Sequence, residues 1–403
     1  MRRIVMDDPS NSRVDLGKGK SAQKAHHTWF RGDHCNYIPK DSDLLTVDGV
    51  KRFVIGSLAP EKPCIDPQTK IVAFGSCFAA NITKWLSRRK FNVLTSKDGD
   101  SAETYLVRCG EGMVNSFVIR QQFEWALTGK VFSEPLWHGY DAEEFGYDEQ
   151  IRNLTQKLFS SADVFIITLG LSEIWYDEVT GGVFWRAVPQ DKHDPSRHKF
   201  RVSSVDENRD NLIAIVKLIR QVRPEAKIIF TLSPIPLVAT FRDAPCIVAN
   251  SVSKAILRTA VDEVIRSMPS DEIYYWPSYE IVREVFWSPW RERRHVEDAV
   301  LDFIMMMFEE VWCTGTEARM SLTQAWVNAC AASKMIPRVL PDAIEKQKIA
   351  RLETFFLRDE RRDGIAAGMI VDRMREVAKA DPTGPLARWM DQKFGRTDFV
   401  AAE

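Results

Sequence analysis

From Lys70 onward, short apolar runs alternate with amphipathic stretches. That alternation predicts a parallel sheet with crossover helices. KIVAF (Lys70 to Phe74) reads as a buried strand stopped at Gly75. A helix is expected over Ala79 to Arg89, with Phe78, Ile82, Trp85 and Leu86 sharing one face. FNVL (Phe91 to Leu94) predicts a second strand, and Ser116 to Leu127 and Tyr147 to Phe159 predict helices. DVFIITLG (Asp163 to Gly170) is the clearest strand, an apolar run ended by glycine. Further on, a helix over Asp206 to Arg223 presents Leu212, Ile215, Val216 and Ile219. A strand at Lys227 to Leu232, a helix at Lys254 to Met268, a strand at Glu272 to Pro277 and a helix from Glu297 to Trp312 complete the series.

The pattern predicts a doubly wound, three-layer α/β/α domain over 61–313, with a central parallel sheet of about five strands. Residues 1–60 read as a partly irregular N-terminal extension. Residues 314–403 show no strand pattern and read as a helical C-terminal region, punctuated by Pro337, Pro341, Gly364, Pro382, Gly384 and Pro385. Amphipathic helices without a core of their own call for a partner surface, so this region is expected to cover the site or to make an oligomer contact.

Charge and cysteine usage narrow the function. Lys and Arg total 55 against 56 Asp and Glu, a net charge of −1, which excludes the broad basic face of a general nucleic-acid binder. No apolar run reaches the roughly 18 residues of a membrane span, and no signal-peptide h-region follows Arg2 and Arg3. Seven cysteines without a C-x-x-C pair fit a reducing, cytoplasmic setting with no structural zinc. His26, His27, His34 and Cys35 match no standard zinc spacing, so neither a metal nor a cofactor is expected. No G-x-G-x-x-G or P-loop follows a strand, which disfavours a nucleotide-binding protein.

In an open parallel sheet, ligands bind beyond the carboxyl ends of the strands. Those ends carry Gly75-Ser76-Cys77, Gly170-Leu171-Ser172-Glu173, Ser233-Pro234 and the run Trp290 to His295. Cys77 opens a helix directly after a strand, a setting in which the helix dipole favours a thiolate. His295 has the residue type of a general base near neutrality. Glu292, three residues earlier, could orient its imidazole or belong to a solvated charged run. Backbone N–H groups at the start of the helix, with Gly112 and Ser172, are candidate oxyanion donors. Glu173 and Trp175 are read either as packing residues or as substrate contacts. Ser253-Lys254 could hold an anionic group, although an exposed helix lysine is the commoner case.

The run FGSCFAANITKWL resembles the defining motif of the GSCFA family, a branch related to the SGNH (GDSL-type) hydrolases. GMVNSF, TLGLSEIW, TLSPIPLVATFR, ANSVSKAILR, YWPSYEIV and RRHVEDAV follow in the order that family requires. The resemblance implies an SGNH-like (flavodoxin-like) fold and an esterase or acyltransferase activity. On the family's Gly-Asp-Ser turn, Cys77 takes the nucleophile's place ahead of Ser76. On its Gly-x-Asn-Asp block, Gly170 and Ser172 fall where the oxyanion donors sit, and Gly112 and Asn115 lie in the preceding block. Glu292 to His295 matches the acid–histidine pair, with Glu for Asp. Cysteine in place of serine favours thioester-type chemistry over simple lipase action.

The expected function is therefore acyl-ester hydrolysis or acyl transfer. The substrate is a small molecule or a glycan, with an acyl-CoA among the donors to consider. The alternative is a catalytically weakened domain that binds a glycan or a protein partner. The catalytic reading expects Cys77, His295 and Glu292 to converge.

Overall fold

The structure, a computed structural model, describes residues 47–315 apart from 98, 100, 133–134 and 270–271, together with 322–333 and a few scattered positions on either side. In chain order the elements are β1 (Ile71–Phe74), α1 (Cys77–Arg88), α2 (Ser116–Thr128), β2 (Leu136–His138), β3 (Glu143–Phe145), α3 (Glu149–Ser161), β4 (Val164–Leu169), β5 (Glu173–Asp177), β6 (His198–Val202), α4 (Val205–Val222), β7 (Lys227–Leu232), α5 (Cys246–Ser267), β8 (Ile273–Trp276), α6 (Asp298–Trp312) and α7 (Leu322–Ala332).

The central sheet is parallel, with strand order β1-β4-β7-β8. Every residue of β1 and β4 is buried, as strands covered on both faces require, which explains the unbroken apolar runs. Alternate strand residues feed two separate cores. Ile71, Ala73, Val164, Ile166, Ile229 and Trp276 meet α1, α6 and α7 on one face. Val72, Phe74, Phe165, Ile167, Ile228 and Phe230 meet α2, α3, α4 and α5 on the other. This is a three-layer α/β/α arrangement.

The sheet has four strands rather than about five. The FNVL segment does run beside β1, but only as an isolated parallel bridge between Ile71 and Val93. Ile71 N donates to Asn92 O (2.9 Å) and Leu94 N to Ile71 O (2.7 Å). One rung further on, the Thr95 side chain replaces the backbone: its Oγ1 accepts from Ala73 N (3.1 Å) and donates to Ala73 O (2.9 Å). A side chain filling the ladder ends the strand there. The segment still records the winding. The chain steps outward from β1 to Val93, then reverses to β4, β7 and β8. The reversal makes the carboxyl ends of β1 and β4 the topological switch point, where such sheets bind ligands.

Other boundaries moved for local reasons. Helix α5 starts at Cys246, eight residues before the expected Lys254, directly after Pro245 as its N-cap. Two hairpins, β2–β3 and β5–β6, were not expected. In the second, Glu173 pairs with Val202 and Asp177 with His198. The chain on either side of 61–313 also packs inward, since Val50, Ile55, Trp326 and Ala329 belong to the same core as α6. Most of 1–60 and of 314–403, including His26, His27, His34, Cys35, Pro337, Pro341, Gly364, Gly384 and Pro385, lies outside the described residues. Among the described residues, no helix is long and apolar enough to cross a membrane.

One buried acid locks the β5–β6 hairpin. Asp177 is 0% exposed. Its carboxylate accepts from Arg197 Nε (2.8 Å) and Nη2 (2.6 Å), Val179 N (3.0 Å) and Thr180 Oγ1 (3.0 Å). The Arg197 bond above all holds its pKa down, from 3.8 to about 2. A depressed folded pKa gives stabilisation that is complete above the unfolded value and disappears as pH falls through the folded one. Asp177→Asn is therefore expected to lower the thermal midpoint at neutral pH. It should also flatten the acid loss of stability between about pH 4 and pH 2, by about 2 kcal/mol. Thermal melts of both proteins across that range check this, and parallel pH curves would overturn it.

Candidate active site

The turn after β1 is set by Gly75, whose φ of +130° lies outside the range of ordinary side chains. It runs directly against the β4 backbone: a Cβ at Gly75 would sit 2.1 Å from Thr168 O. Ser76 then caps α1. Its Oγ accepts from Phe78 N (3.1 Å), and its carbonyl accepts from Ala79 N (2.8 Å). Cys77 is the first residue of α1 and is half-buried.

A cavity of about 220 Å³ opens at this point, lined by Cys77, Asn81, Ile235, Arg291, His295 and Asp298 among others. His295 arrives on a loop before α6. The loop closes on itself through a bridge between Trp290 and Val296 and a bond from Arg291 N to His295 O (2.9 Å). The Glu292 carboxylate meets His295 Nδ1. That hydrogen bond, followed by the imidazole's charge, holds the Glu292 carboxyl below the usual range. An acid on Nδ1 fixes the ring so that Nε2 can exchange protons with a reacting group. Both residues are substantially exposed, the side chains at 48% for His295 and 64% for Glu292. Arg291 at the cavity wall pairs with Asp298 (3.3 Å).

Cys77 and His295 thus share one cavity, and Glu292 touches His295 from outside it. Ser76 is buried, with its hydroxyl committed to the cap. The other candidates lie elsewhere and are bound into the scaffold. Gly112 N donates to Cys109 O (2.8 Å). Asn115 caps α2 by accepting from Val118 N (2.9 Å). Gly170 N donates to Val114 O (2.7 Å). Ser172 is fully buried: its N–H donates to Ser253 Oγ (2.7 Å) and its carbonyl accepts from Ser203. Glu173 accepts two contacts from Thr240 Oγ1 (2.7 and 2.9 Å). Trp175 packs among His193, Phe200 and Phe241.

Lys254 corrects the expectation of an exposed helix lysine. It is 2% exposed and donates to Gly170 O (2.6 Å) and Ser233 O (2.7 Å), tying together the loops beyond β4 and β7. Burial alone pushes its pKa down to about 7. Among the residues not singled out from sequence, Asn81 was the findable one. It lies four residues after Cys77, on the same face of a helix that was already expected.

The fold is a doubly wound α/β/α domain, with a cysteine, a histidine and an acid gathered at its switch point. The GSCFA family profile matches residues 70–308, more than half of the chain, and the chain belongs to the GSCFA family. No curated protein matches it.

Proposed function

We propose that this protein is an acyl-ester hydrolase or acyltransferase that works through a Cys77 thioester, with His295 as base and Glu292 orienting it. The observation that carries the reading is that Cys77 and His295 line one cavity at the switch point, with Glu292 on Nδ1 of the imidazole. In the first step His295 takes the thiol proton and Sγ attacks the ester carbonyl carbon. The C–S bond forms as the carbonyl π pair moves onto oxygen. Collapse of that intermediate restores C=O and breaks the C–O bond, and the departing alkoxide takes the proton from His295. A water or alcohol then loses its proton to His295 and attacks the thioester carbonyl; collapse breaks the C–S bond, and the departing thiolate takes that proton back from His295. The SGNH resemblance of the motifs supports the same assignment. Ser76 is the weaker nucleophile candidate because its hydroxyl is the helix cap.

Cavity size bears on the substrate. About 220 Å³ is below the roughly 300–1,000 Å³ of sites that enclose a whole drug-sized ligand. It fits the acyl group and leaves the carrier or acceptor, a sugar hydroxyl or an acyl-CoA included, at the mouth. Incubation with an activated short-chain ester, followed by intact-mass measurement and peptide mapping, is expected to show one acyl adduct on the peptide carrying Cys77. An adduct on any other residue, or none with any ester tried, would remove the reading.

A further inference from the structure

We propose that Asn81 is a further catalytic residue, its side-chain amide donating to the oxyanion that forms on the acyl group. The inference rests on the acyl-transfer reading above. A tetrahedral intermediate on Cys77 places a full negative charge on oxygen, and catalysis requires donors aimed at that point.

Most of the other donors are engaged. The N–H groups of Phe78, Ala79 and Ala80 in the first turn of α1 are taken up by Ser76: its hydroxyl binds that of Phe78, and its carbonyl those of Ala79 (2.8 Å) and Ala80 (3.4 Å). The N–H groups of Gly112, Gly170 and Ser172 bind Cys109 O, Val114 O and Ser253 Oγ. None of those three residues lines the cavity. His295 is the base, and Arg291 is paired with Asp298.

Asn81 lines the cavity with Cys77 and is half-buried there. It follows Cys77 by one turn of α1. Side chains on a helix lean toward its N-terminus and cover the preceding turn. An asparagine four residues after the nucleophile therefore covers the space where the acyl oxygen develops charge. Its Nδ2 carries two N–H donors.

The test separates this role from a structural one. Removal of a single oxyanion donor costs about 10²- to 10³-fold in turnover. Asn81→Ala and the similarly sized, uncharged Asn81→Leu are expected to lower kcat for an activated ester by about 10²-fold, with KM changed less than about threefold. Alkylation of Cys77 by iodoacetamide is a direct displacement at carbon and builds no oxyanion, so its rate should match that of the unchanged protein. Full kcat in both variants would overturn the inference while leaving Cys77 chemistry in place. An equal fall in alkylation and acyl transfer would also overturn it, by showing that Asn81 shapes the thiol's surroundings. Failure of the unchanged protein to acylate Cys77 would instead remove the underlying reading, and this inference with it.

Discussion

Cys77→Ala is expected to abolish turnover of an activated ester, lowering kcat/KM by at least about 10³-fold. The thiol is the only group on α1 that both lines the cavity and can form a covalent bond to an acyl carbon. No neighbour can replace it. The Ser76 hydroxyl is 6% exposed at residue level and held by Phe78 N. Ser76→Ala should accordingly keep kcat within a few-fold and cost about 1 kcal/mol of stability, the usual value of an N-cap. His295→Ala should fall nearly as far as Cys77→Ala, because residues that act as one unit are not additive. Glu292→Gln should cost much less, about tenfold, since its contact with His295 lies in solvent, where charge interactions are weak. Rates for all four variants, with alkylation of the thiol as a control, check the order. Ser76→Ala inactive and Cys77→Ala active would transfer the nucleophile to Ser76.

How much of this was legible in the sequence depended on which interactions are local. Apolar runs such as VFIITL are local signals, and β4 and β7 fall where expected. So does the strand–turn–helix that presents Cys77, because Gly75 ends the strand and a serine cap starts the helix within three residues. His295 could be placed near Cys77 because both follow strands of one parallel sheet. The misplaced features depend on long-range partners. The strand status of FNVL is decided by Thr95, which takes the rung of Ala73, 22 residues away in sequence. The donors expected at Gly170 and Ser172 are consumed by Val114 and Ser253, which lie 56 and 81 positions distant in the chain. Lys254 reads as a solvated helix residue until the carbonyls of Gly170 and Ser233 are known to converge on it. A motif marks where a backbone turns, and it carries no record of which N–H groups the surrounding fold has already used.

The same turn carries the largest expected effect on stability. Gly75→Ala is expected to destabilise the protein by on the order of 4 kcal/mol and to lower the thermal midpoint by roughly 8–16 °C. Two costs combine. The φ of +130° belongs to glycine, and an added Cβ strains it. That Cβ would also lie 2.1 Å from Thr168 O, 2.9 Å from Thr168 C and 3.0 Å from Thr168 N. All three are backbone atoms of β4, which pairs with β1 on one side and β7 on the other. No side chain can rotate to relieve the contact, so relief requires β1 and β4 to part at their carboxyl ends. That is where α1 begins, and Cys77 would move with it. Any Gly75→Ala protein that remains folded should therefore also lose acyl transfer, since a displacement of about 1 Å can cost about 10²-fold in rate. Gly112→Ala is the contrasting control. There the nearest atom, at 2.7 Å, is Nδ1 of a side chain, His138, rather than backbone, so the contact does not force two strands apart. Thermal melts of the two variants side by side test the argument. A Gly75→Ala protein that melts with the unchanged chain would show that the close approach of Gly75 to Thr168 is not what holds the turn.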